Sequence, residues 1–232
     1  MEFSDRHIIV TGGTGALGSV VVGALLERGA TCHVPYIVAA EAERFRFRGH
    51  ERVKLLAARD LAEEASVDAL YGAVAPLWGS IHIAGGFAMG GIAETGRAAL
   101  MAQLEMNLVS AFLCCRAAVI GMRKAGGGRI VNIAARPALE PRLGAGMAAY
   151  AASKAAVAAL TEALAQEVAG DGILVNAVAP SIIDTPANRQ SMPKADHAAW
   201  PKPEEIAATI LFLASPANAV SRGAVVPVYG RS

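Results

Sequence analysis

The segment Thr11-Gly-Gly-Thr-Gly-Ala-Leu-Gly18 constrains this chain more than any other, because of what stands on either side of it. Before it runs His7-Ile-Ile-Val-Thr11, a short apolar stretch that reads as a buried parallel strand. After it, Ala16 to Arg28 carries helical periodicity, with Gly29 as a C-terminal stop. Strand, glycine turn and helix in that order are the context a dinucleotide fingerprint requires. Gly12, Gly15 and Gly18 would permit the tight turn, close approach of a pyrophosphate and close helix–strand packing. The helix N-terminus adds free N–H groups and a positive dipole for the phosphates.

The same alternation continues along the chain. Strands are predicted at Thr31–Tyr36, Val53–Ala57, Ser80–Ala84, Arg129–Ile133, Ile173–Ala177 and Ala224–Val228. Helices are predicted at Ala39–Phe47, Ala62–Leu77, Ala98–Lys124, Ala148–Ala169 and Glu204–Ala214. The fold class is therefore α/β: a single Rossmann-type, doubly wound parallel sheet of about seven strands, with helices on both faces. A length of 232 residues suits one such domain over residues 1–232. The long irregular stretch Pro180–Pro203 suggests a lid over about 182–200, above the carboxyl ends of the strands.

Charge excludes some partners. A net charge of +1 and a pI near 7.8 offer no electrostatic case for nucleic acid or an anionic membrane. Ala69 to Ala93 carries no formal charge, yet Pro76, His82 and six glycines break it into a helix end, a strand and a loop rather than a membrane span. Cys32, Cys114 and Cys115 have neither metal-ligand nor disulfide spacing, so no metal is expected and a reducing compartment, the cytoplasm, is. The N-terminus enters the first strand directly, without room for a signal peptide.

Tyr150-Ala-Ala-Ser-Lys154 places a phenol and an ammonium one helical turn apart on one face. The lysine charge is expected to lower the tyrosine pKa and make Tyr150 a usable acid or base. Alone, such a pair is as readily an exposed helix face.

Together with the turn and the markers between them, the pair makes the whole chain resemble the short-chain dehydrogenase/reductase family. The markers, in order, are Thr11 to Gly18, Asp60-Leu61, Ala84-Gly85, Asn107, Tyr150/Lys154 and Asn176-Ala-Val-Ala-Pro180. The resemblance implies an NAD(P)H-dependent oxidoreductase in which Tyr150, Lys154 and Asn107 are catalytic, Asn107 holding a water in a relay to Lys154. It implies cofactor contacts from Gly12, Thr14, Gly15, Ala16, Leu17 and Gly18, from Asp60 and Leu61 beside the adenine, and from Ala84, Gly85 and Gly86. Asn107, Tyr150, Lys154, Pro180, Ile183 and Thr185 complete that set, and a homodimer or homotetramer is implied as well. Asp60 would equally serve as an ordinary helix cap, and Asn107 as a helix-interior hydrogen-bonding residue.

Departures from the family pattern sharpen the reading. Ala16 stands where a glycine is usual, and His82-Ile-Ala-Gly85 replaces Asn-Asn-Ala-Gly. His82 falls inside a predicted strand and reads as a satisfied core histidine rather than a base. The family's serine after the fifth strand is replaced by alanine at Ala135. Losing such an oxyanion donor typically costs roughly 10²–10³ in rate. Ser153 is no substitute, since by position it faces away from the Tyr150/Lys154 side. Alanine there, Ile83-Ala-Gly-Gly86, and the lid Asp184 to Trp200 are similar to dihydropteridine reductase-like members. The substrate is thus expected to be a small conjugated or carbonyl molecule, with a quinonoid dihydropterin as the candidate whose conjugated ring spreads the charge. Alternatives are an ordinary ketone or alcohol substrate, or a non-catalytic dinucleotide sensor. His33-Val-Pro-Tyr-Ile37 ends the second strand without a carboxylate, which leaves NADP(H) or NAD(H) open with a lean to NADP(H).

Overall fold

All seven apolar runs form strands of one parallel sheet in a computed structural model that describes residues Met1–Ser232. Strand β1 (His7–Thr11) leads through the glycine turn into α1 (Ala16–Glu27), and β2 (Thr31–Tyr36) leads into α2 (Ala39–Arg44). Then come β3 (Val53–Ala57), α3 (Glu64–Gly72) and β4 (Leu77–His82). Helices α4 (Arg97–Leu104) and α5 (Ser110–Ala125) follow, joined by a π-helical turn at Glu105–Val109. The second half runs β5 (Gly128–Ile133), α6 (Arg136–Leu139), α7 (Ala148–Glu167), β6 (Ile173–Pro180), α8 (Pro186–Ser191), α9 (Pro203–Ala214) and β7 (Val225–Val228).

Strand order is β3-β2-β1-β4-β5-β6-β7, so the winding reverses between β1 and β4. A crevice opens at such a switch point, beyond the carboxyl ends of the two strands. Because successive strand residues point to opposite faces, Ile8 and Val10 enter one core and Ile9 the other. The first core packs Val21 and Leu25 of α1 with Ile206 and Ile210 of α9. The second packs Leu70 of α3 and Met122 of α5 with Ile130, Ile173 and Val175. Truncating a fully buried Ile130 to alanine would cost about 2–5 kcal/mol.

Several boundaries differ from expectation, four of them for a local reason. The helix expected over Ala62–Leu77 stops at Gly72, because Pro76 cannot continue it, and Leu77 already belongs to β4. That strand accordingly ends at His82 rather than Ala84. The helix expected to Phe47 ends at Arg44, because Phe45 and Phe47 turn edge to face against the core beside α1. The long helix expected from Ala98 is interrupted at Asn107 by the π turn.

The uncharged stretch Ala69–Ala93 divides into the end of α3, strand β4 and a loop. The helix Arg97–Ala125 is long and apolar enough to cross a membrane by length and composition. Here it lies along the sheet, with Cys114, Ala118 and Met122 in the second core.

Candidate active site

The turn after β1 is built from backbone. Gly12 adopts φ +66°, and a Cβ there would stand 2.7 Å from Ala84 N. A Cβ on Gly18 would stand 2.0 Å from the Gly12 carbonyl, so only glycine lets α1 start this close to the strand. The first turn of α1 has no side-chain cap, and Gly15 and Ala16 are exposed. Its N–H groups therefore face the crevice unpaired, a cradle that fits a diphosphate and could hold one. Leu17 is buried beneath the turn, while Thr14 at its rim donates a hydrogen bond to Glu41 of α2 at 3.2 Å. On the other side Thr11 Oγ1 accepts from Ala84 N at 3.2 Å, which locks the loop after β4 to the turn after β1.

Asn107 organises that second loop. Its Oδ1 accepts from Gly86 N at 2.9 Å, and its Nδ2 donates to Gly86 O at 3.1 Å. The same Nδ2 lies 3.1 Å from Ser153 Oγ, which donates to Tyr150 O at 2.8 Å. A Cβ on Gly85 would stand 2.7 Å from Asn107 Oδ1 and 3.4 Å from Lys154 Nζ, so glycine is what lets the three meet. The π turn delivers the Asn107 side chain inward, and it is buried. Its side chain is thus committed to backbone and serine. Ser153, expected to face away, is fully buried and joined to the site through Asn107.

Tyr150 and Lys154 both lie on α7 and are both desolvated. Burial pushes the Tyr150 phenol up to about 12 and the Lys154 ammonium down to about 8. The expectation that Lys154 lowers the Tyr150 pKa is therefore corrected: burial alone moves the phenol, and upward. Lys154 Nζ donates instead to Ile133 O, 2.8 Å away at the end of β5. Tyr150 is consequently a protonated phenol at neutral pH, in the state that donates a proton. Phe87 stacks edge-on against it at 4.9 Å between ring centroids, yet is 56% exposed, so it forms an open apolar wall beside the hydroxyl's helix.

Ala135, 5% exposed, is the extended residue preceding α6 and supplies no side-chain donor. Arg136 next to it turns away, paired with Glu140 and donating to Ser232 O at 2.9 Å.

The remaining expected cofactor residues divide. Asp60 is exposed, with Oδ1 accepting from Ala62 N at 2.9 Å, a local turn contact, whereas the Leu61 side chain is buried in the second core. Pro180 ends β6 inside the sheet. Ile183 O accepts from Asn188 Nδ2, and Thr185 Oγ1 caps α8 by accepting from Asn188 N. The expected lid is thus a short helix and a 3₁₀ turn at His197–Ala199, pinned by an Asp184–Arg189 ion pair.

His82 is the core histidine its strand position implied. Burial lowers its pKa to about 4, so the ring is neutral. Nδ1 donates to Asn132 Oδ1 at 2.7 Å, and Nε2 accepts from Ser80 Oγ at 2.7 Å, with Tyr71 OH 3.2 Å away. Asn132 Nδ2 continues the chain to Thr161 Oγ1 of α7 at 2.9 Å. No group of three or more metal-ligating side chains is present, and all three cysteines are buried and free.

Sequence reasoning missed Phe87, Glu41 and the part played by Ser153. Their contacts join residues far apart in the chain, and nothing in local spacing announces them.

Comparison with known proteins agrees with this arrangement. A family model described as short chain dehydrogenase matches residues 6–196. Cis-4-hydroxycyclohexanecarboxylate dehydrogenase of Sinomonas cyclohexanicum is 35% identical, covering 98% of this chain and 96% of the relative. Galactitol 2-dehydrogenase of Rhizobium johnstonii is also 35% identical, covering 98% and 95% respectively. Among solved structures, a short chain dehydrogenase/reductase family protein superposes with a TM-score of 0.91 at 28% identity, covering 99% of this chain and 98% of that one.

Proposed function

The chain belongs to the short-chain dehydrogenase/reductase family and is an NAD(P)-dependent oxidoreductase, and from that premise we propose that it reduces a small conjugated or carbonyl-bearing molecule at Tyr150. The observation that carries this reading is the constellation of Tyr150, Lys154 and Asn107 at the mouth of the β1/β4 crevice. The glycine cradle would hold the diphosphate of the dinucleotide, whose nicotinamide would supply the hydride. Tyr150, a phenol at neutral pH, hands a proton to the atom that gains negative charge. Lys154 keeps a positive charge on the same helix at neutral pH, and Asn107 holds Gly85-Gly86 in place.

Ala135 supports an electrophile that spreads its negative charge, and a quinonoid dihydropterin is the type. A localised alkoxide would want the donor this site lacks. A second reading, secondary alcohols and ketones, is favoured by the relatives, whose names describe dehydrogenation of a hydroxycyclohexane acid and of a sugar alcohol. Steady-state assays with a quinonoid dihydropterin and with simple ketones separate the two, and turnover of ketones alone removes the first. The broader proposal is tested by Tyr150→Phe. It is expected to keep cofactor affinity and to lose at least about 10²-fold in turnover. Equal turnover in both proteins would remove Tyr150 as the proton donor, and no turnover in either with any substrate would leave only a dinucleotide-binding sensor.

Phe112 and Ile120 of α5 are exposed apolar residues on one helix, which supports assembly as a homodimer or homotetramer, measurable by light scattering. Three free thiols suit a reducing compartment such as the cytoplasm.

A further inference from the structure

The rim of the cofactor cradle carries a carboxylate that lies outside the strand end where one is usually sought. Glu41 stands in the first turn of α2, and its Oε2 accepts from Thr14 Oγ1 at 3.2 Å, bridging α2 to the glycine turn. In a dinucleotide fold the adenosine ribose lies over the end of the second strand, beside that turn. Strand β2 ends at Tyr36 with no acid of its own, and the next helix bends Glu41 back over the gap.

The three arginines that follow Glu41 in the chain, Arg44, Arg46 and Arg48, are turned elsewhere. Arg44 Nε donates to Ala40 O at 3.0 Å. Arg46 donates to Ser19 O at 3.0 Å and lies over the Phe47 ring. Arg48 donates to Glu43 O. Glu41 has no ion-pair partner, and its exposure leaves it free to exchange Thr14 for an incoming hydroxyl.

We propose that Glu41 selects NAD(H) over NADP(H), accepting a hydrogen bond from the adenosine 2′-hydroxyl and repelling a 2′-phosphate. The proposal rests on the nicotinamide-dependent reading above. It removes the ground for the lean to NADP(H), which was the lack of an acid within the strand end. A like unit charge near 4 Å in water weakens binding roughly fivefold, and a phosphate monoester carries between one and two charges, so discrimination of roughly tenfold or more is expected.

Calorimetric titration of the whole protein with NADH and with NADPH tests this without any substrate. Wild type should bind NADH at least about tenfold more tightly, less so in high salt because the site is exposed. Glu41→Gln should bring the ratio close to one, and Arg44→Ala should leave it unchanged. The proposal is overturned if wild type binds NADPH as tightly as NADH, if Glu41→Gln keeps the wild-type ratio, or if Arg44→Ala weakens NADPH selectively. Failure of wild type to bind either dinucleotide would instead sink the oxidoreductase reading itself.

Discussion

Asn107 clasps Gly86 from both ends, accepting from its N–H at 2.9 Å and donating to its carbonyl at 3.1 Å. One carboxamide thereby satisfies both backbone groups of a residue in the loop after β4. The grip also fixes Gly85, whose Cα side has no room for a methyl group between Asn107 and Lys154.

Removing that clasp should harm stability and catalysis together. Asn107→Ala leaves the part-buried N–H and carbonyl of Gly86 without their partner and removes one of the two bonds of the Ser153 hydroxyl, where a buried polar group left unmet costs about 1–3 kcal/mol. The expected outcome is a melting temperature several degrees lower and weaker cofactor binding. A thermal melt with and without cofactor reads both. An unchanged melt would mean water replaces the amide fully.

Ala135→Ser should separate the two classes of electrophile. The position is extended, φ −160° and ψ 161°, and stands at the N-cap of α6, where serine is favoured over alanine. Stability should therefore hold or rise by about 0.5–1 kcal/mol. Turnover of a simple ketone should increase roughly 10–10²-fold, whereas a charge-spreading substrate should gain little. Parallel kcat measurements on both substrates decide it.

The buried lysine predicts how stability depends on pH. Lys154 titrates near 8 in the folded protein, below the ordinary 10.5 of the unfolded chain. Between those values the unfolded state binds the extra proton, so stability should rise with pH from about 8 to about 10.5. Tyr150 acts with the opposite sign from about 10 to about 12, where only the unfolded phenol ionises, so stability should then fall. Urea denaturation across this range should show the rise in wild type and lose it in Lys154→Met.

His82→Leu should separate a structural histidine from a catalytic one. It leaves Asn132 Oδ1 with only the weak Cys115 thiol as donor, while Ser80 Oγ keeps its bond to Tyr71 OH, for a loss of about 1–3 kcal/mol. Substrate turnover per folded molecule should fall less than tenfold, because the ring lies below the site and touches none of its reacting groups. Activity normalised to the folded fraction provides the check, and a loss of 10³ would return His82 to the list of bases.

The sheet, the glycine cradle and the Tyr150/Lys154 pair were all legible in the chain itself, because each depends on local spacing. Apolar runs ending at glycines make buried strands, and residues four apart share a helix face wherever the helix lies. The missing serine at Ala135 was equally plain. What tertiary structure alone decided were the contacts between distant segments: Glu41 to Thr14 across 27 residues, and Asn107 to Ser153 across 46. It also decided the protonation of the pair. Sequence places a charge beside a phenol, but burial depends on everything packed around them, and here desolvation holds Tyr150 as an acid and turns Lys154 to the Ile133 carbonyl.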